Sequence, residues 1–174
     1  TVHKLPDKRL HRREGFKLTD HGMDLKGALS EVHYCIYCHN QGKDSCANGL
    51  KAKSKDGAKV PFNESPFGVA LTGCPLGARI SEMNVLKAQG SAIGSLAALI
   101  VENPMTAGTG HRICNECMKA CVYQKQDPVD IPEIETRVLK DVLALPYGFE
   151  IYSLLTRWNP LNLARPLPLP APVT

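Results

Sequence analysis

"ICNECMKACVYQKQDPVDIPEIETRVLKDVLAL", residues 113–145, holds three cysteines, a polar turn and a segment with one apolar stripe, in that order. The stripe predicts a helix. Asp130 and Glu133 have capping-box spacing, Pro132 falls in the first turn, and Ile131, Ile134, Val138, Val142 and Leu145 recur at the helical period. Glu135 stands at the margin of that stripe, where a carboxylate is costly unless it is paired or bound to metal; a snorkelling or salt-bridged side chain is the plainer reading. At about 100° per helical residue, Cys114, Cys117 and Cys121 would share one face. Asn115, Glu116 and Lys119 between them keep that face narrow, which favours ligation over core filling.

Working outward, "ARISEMNVLKAQG" (78–90) sets Ile80, Met83 and Leu86 on one side and closes at Gly90. Ile93, Leu96, Ala97 and Ile100 then form a second stripe that Asn103-Pro104 ends, which predicts a helical hairpin. Farther on, "YGFEIYSLLTRWNP" (147–160) aligns Tyr147, Ile151, Leu154, Leu155 and Trp158 before Pro160 stops it. The expected fold class is all-α. Residues 47–73, rich in lysine, glycine, serine and proline, read as a surface loop insertion. Residues 1–20 read as a basic N-terminal arm carrying Lys4, Lys8, Arg9, Arg12, Arg13 and Lys17. Residues 21–146 form the helical domain. Residues 147–174 combine the last helix with an extended linker in which Pro166, Pro168, Pro170 and Pro172 alternate. The chain does not begin with Met, and a fragment of a longer protein is expected.

The 174 residues are 43% hydrophobic, enough for one ordinary core, and 21 basic against 17 acidic residues leave a net charge of +4. With 6% aromatic residues and the basic excess confined to the N-terminal arm, no nucleic-acid partner is expected. "AIGSLAALIV" (92–101) is the longest apolar run and falls well short of the ~20 residues of a membrane span. No secretory leader is evident, so the expected location is cytoplasmic.

Cys35, Cys38, Cys46, Cys74, Cys114, Cys117 and Cys121 make an odd, unevenly spaced set of seven, which fits metal ligation better than a disulfide framework. "CIYC" (35–38) is a C-x2-C pair, and Cys74 stands directly before Pro75. Bacterial ferredoxins use that grammar, with a proline-marked cysteine lent to a second cluster. One tetrahedral zinc on two C-x2-C pairs would leave Cys46, Cys74 and Cys121 unused, so a zinc-stabilised interaction module without a redox role is the alternative. Two 4Fe-4S clusters require more ligands than seven cysteines supply. Glu135 is the candidate for the vacancy, with His39 and His111 the other side chains near ligand cysteines.

Taken together, Cys35, Cys38, Cys46, "GCP" (73–75), "NPMTAGTGHRIC" (103–114), "CMKAC" (117–121) and "DPVDIPEIE" (127–135) appear in an order similar to that of a known family. Roughly residues 25 to 146 resemble the N-terminal two-cluster, α-helical ferredoxin domain of the glutamate synthase small subunit and of dihydropyrimidine dehydrogenase. The resemblance implies one 4Fe-4S cluster on Cys35, Cys38, Cys46 and Cys121, and another on Cys74, Cys114, Cys117 and Glu135, the family placing a side-chain oxygen at that last position. It also implies a non-catalytic electron-transfer domain of an FAD-dependent NAD(P)H oxidoreductase, with FAD and NAD(P) bound only in a downstream domain. A partner redox subunit or a second copy is the other expected contact. The chain departs from the family in the seven residues between Cys38 and Cys46, in the long 47–73 insertion and in the tight Cys114-x2-Cys117 spacing. If Cys46 is not a ligand, His39 is the nearest substitute. No paired-carboxylate, Ser/His, radical-enzyme C-x3-C-x2-C or G-x-G-x-x-G pattern is present.

Overall fold

The computed structural model describes residues 14–17, 20–52, 61–110 and 113–157. The remainder of the basic arm, Trp158 and the proline-rich linker lie outside the described residues. Among those described, helices dominate and no strand forms.

Helix α7 (Ile131–Leu143, numbered in chain order) organises the rest, and it begins where the sequence says it should. Asp130 caps it, its side chain accepting from the Glu133 N–H at 3.4 Å, and Pro132 sits in the first turn. Ile131, Ile134, Val138 and Val142 are buried to 1% exposure or less, each contributing about 2 kcal/mol. Leu145 lies beyond the helix end and is exposed, so the stripe is one position shorter than expected. The start of α7 is also tied to α1 (Leu25–Tyr34). The Asp130 N–H donates to Glu31 at 2.9 Å, and the buried Glu133 carboxylate accepts from the Met23 N–H at 2.8 Å, just ahead of the Asp24 cap of α1.

The expected hairpin is present as α3 (Ile80–Ala88) and α4 (Ala92–Glu102), turning through Gly90 at φ +77°. Its two arms are fastened by the buried Ser95 hydroxyl, which donates to the Met83 carbonyl at 3.0 Å. Ile93 is exposed, contrary to its expected place on the apolar face; the buried line of α4 runs through Ser95, Leu96, Leu99 and Ile100. Helix α1 packs on α3 and α7, and α4 packs on α3 and α7. A buried ionic contact joins α3 to α7: Lys87 pairs with Asp141, which also accepts from Arg137 at 2.6 Å.

Helix α8 (Gly148–Arg157) rests on α4 and α7 with a register different from the one expected. Ile151, Tyr152 and Leu155 pack against the core and Thr156 is buried, whereas Tyr147 and Leu154 face outward. The Tyr152 hydroxyl decides the rotation by donating to the Pro104 carbonyl at 3.0 Å. No described helix is long and apolar enough to cross a membrane.

Three one-turn helices carry the remaining chain: α2 (Ser45–Asn48), α5 (Thr106–Thr109) and α6 (Glu116–Lys119). Helix α2 packs against α6, and α5 against α7. The insertion is better ordered at its feet than its composition suggests. Isolated bridges pair Lys51 with Phe62 and Glu64 with Ala70, and Leu50 donates to the Leu71 carbonyl at 2.9 Å.

Candidate metal centre

All seven cysteines are free thiols, and they gather where the short elements meet the four-helix core. Helix α1 ends at Tyr34, so Cys35 begins the turn that leads to Cys38 at the head of a 3-10 turn (Cys38–Gln41). Tyr37, between them, is held at φ +51° and Asp44, just before α2, at φ +141°. Such conformations cost about 1 to 3 kcal/mol each in a non-glycine residue and concentrate at ligand clamps. Here they turn the chain so that Cys46, in α2, meets the first pair.

Cys35, Cys38, Cys46 and Cys121 line one small cavity of about 20 Å³. Ser81, Asn84 and Ile131 contribute to its walls from α3 and α7. His39 is not among the residues lining this cavity, and His111 lies outside the described residues. Behind Cys121, Tyr123 stacks on Tyr34 with ring centroids 4.7 Å apart, and the Tyr34 hydroxyl donates to the Asp127 carbonyl at 3.1 Å. The stretch from Cys121 to α7 is thereby held against the end of α1.

Of the other three cysteines, Cys117 is the one that neighbours Glu135. Burial pushes the Cys117 thiol far up, and Glu135, Cys74 and Cys114 are the neighbouring charges that push it further. Burial alone raises the Glu135 carboxyl, to about 7. This corrects the expectation of a shared helical face. Helix α6 spans only Glu116–Lys119, so Cys114 precedes it and Cys121 follows it. One short turn sets Cys117 beside Glu135 and Cys121 at the cavity. A continuous helix could not divide them in this way.

The two groups adjoin each other through Cys46 and Cys74. The Cys74 N–H donates to the Cys46 carbonyl at 2.7 Å, closing the base of the insertion. Gly73, at φ +80°, makes this approach possible: a Cβ there would stand 2.6 Å from the Gly49 nitrogen and 3.0 Å from the Cys46 carbonyl oxygen.

In the first group, Cys38 and Cys46 are thiols that their surroundings keep protonated. Burial, then Asp44, raises Cys46 far above the ordinary thiol range; burial, then Cys35, Cys121 and Asp44, raises Cys38. Mutual repulsion of this kind is relieved when a positively charged metal group is bound and the protons leave. Soft thiolates around a cavity suit an iron-sulfur cluster. Among the described residues no group of three or more His, Cys, Asp or Glu side chains is set to hold a single metal ion.

Asp44, Ser81 and Asn84 are additions that the sequence reading missed. The Asp44 carboxylate accepts from the Ser81 hydroxyl at 3.0 Å and from the Cys46 thiol at 3.3 Å. The signal for Asn84 was present: it lies four positions after Ile80, on the side of α3 that the core covers.

No protein-family model matches the chain. It is similar to two proteins of Rickettsia prowazekii (strain Madrid E). One, named Uncharacterized protein RP006, is 70% identical over 64 residues, which are 37% of this chain and 9% of that protein. The other, named Uncharacterized protein RP005, is 40% identical over 81 residues, or 45% of this chain and 28% of that protein. The matched stretches therefore span under a third of either relative.

Proposed function

We propose that the chain is an electron-relay domain that holds two 4Fe-4S clusters, one on Cys35, Cys38, Cys46 and Cys121, the other on Cys74, Cys114, Cys117 and Glu135. The observation that carries this reading is the partition of the cysteines. Four thiols from three separate stretches line one cavity, and of the remaining three Cys117 neighbours the partly buried Glu135 carboxylate as well as Cys74 and Cys114. When bound, such clusters accept and release single electrons. The chain's own part is to hold the ligands, to exclude water with Ile80, Ile131 and Val129, and to keep the two groups adjacent through the Cys46–Cys74 backbone contact.

Within a whole protein of the glutamate-synthase-small-subunit type, the domain would stand between a downstream FAD- and NAD(P)-binding domain and a partner active site. The support for this wider role is the family resemblance of residues 25 to 146. The decisive test is iron, sulfide and zinc per chain after anaerobic purification, for the wild type and Glu135→Ala. About eight irons and eight sulfides, with a partial loss in the variant, are expected. Zinc near one per chain without sulfide would replace this reading with the structural metal module.

A further inference from the structure

We propose that Asn84 donates a hydrogen bond from Nδ2 to sulfur of the group held by Cys35, Cys38, Cys46 and Cys121, and so makes this site easier to reduce. The inference rests on the reading of those cysteines as iron-sulfur ligands. Asn84 is 0% exposed, and it lines the same cavity as the four thiols. Neither its Oδ1 nor its Nδ2 has a hydrogen-bond partner. An amide sealed from water in this way costs about 1 to 3 kcal/mol, which an apolar side chain of the same shape would not. Its partner is therefore to be sought in the cavity.

Ser81, nearly one turn earlier on α3, gives its hydroxyl to Asp44, which also accepts from the Cys46 thiol. No cysteine sulfur is bonded to Asn84. The sulfur-rich group that the four thiols would enclose is an acceptor within the same cavity. Sulfide and thiolate accept and do not donate, so the amide presents its N–H; a half-turn of the side chain exchanges its two ends. One-electron reduction adds one negative charge to the site, and a buried N–H dipole favours the more negative state.

The experiment is a redox titration, followed by electron paramagnetic resonance, of the anaerobically purified chain and of Asn84→Leu. Iron and sulfide should be unchanged in the variant. One of the two potentials should fall by at least the equivalent of a tenfold change in the reduction equilibrium, about 59 mV for one electron, and the other should stay put. In metal-free protein, Asn84→Leu should resist urea better than the wild type. Full cluster content with both potentials unmoved would overturn the role of Asn84 and leave the cluster reading standing. A wild type without iron or sulfide would remove both. Asn84→Ala, which deletes the amide without adding bulk, carries the same comparison if the leucine variant does not fold.

Discussion

Cys46 and Cys74 are joined by one backbone hydrogen bond of 2.7 Å, although residues 47–73 lie between them. The contact depends on Gly73, where a side chain would collide with Gly49 backbone and would be held at φ +80°. Gly73→Ala should destabilise the chain by about 2 kcal/mol. It should also lower the metal content of both groups together, read by urea unfolding and by iron analysis.

Thiol reactivity should follow burial. In metal-free chain at neutral pH, exposed Cys114 should be alkylated first, while Cys46 and Cys117, buried and held protonated, should react last. Mass spectrometry after timed iodoacetamide treatment gives the order. Early modification of Cys117 would contradict the packing around α6.

Glu135 makes the metal-free chain pH-sensitive. Its carboxyl is raised by burial to about 7, whereas an unfolded glutamate titrates near about 4.3. Between those values the folded state keeps a proton that the unfolded state has lost. Stability from this group is thus full below the lower value and declines as pH rises through the upper one, by about 3 kcal/mol in all. Urea unfolding at about pH 5 and about pH 8 should show the fall, and Glu135→Gln should flatten it across this window.

Asp141 answers two cations at once, Lys87 from α3 and Arg137 from its own helix. Asp141→Ala would leave the Lys87 ammonium, 5% exposed, without its counter-charge. A loss of about 3 to 5 kcal/mol is expected in chemical denaturation. Lys87→Met should cost much less, since it removes the buried charge along with the pair.

Much of this architecture can be read from residue patterns because its signals are local. The cap at Asp130, the stripe of α7 and the turn at Gly90 each depend on neighbours in sequence, and each is present. The errors arose where a distant contact overrode local periodicity. The rotation of α8 follows the Tyr152 bond to Pro104, which no window of sequence contains. The common face expected for Cys114, Cys117 and Cys121 assumed an unbroken helix, yet the segment keeps only one turn and then follows Tyr123 to Tyr34. Spacing and proline context brought the ligand candidates into view. The carboxylate, hydroxyl and amide around them were hidden, because Asp44, Ser81 and Asn84 acquire meaning only when α2 and α3 are brought together.

The paired feet of the insertion separate its evolution from that of the domain. Once Gly49 and Gly73 fix where the excursion leaves and returns, lengthening it costs free energy only as the logarithm of its length, about 0.6 kcal/mol per doubling. Substitutions and insertions between the feet can then accumulate without moving a cysteine. Related chains can diverge freely across this stretch, and adapt it to different neighbours, while the glycines at its base stay under constraint.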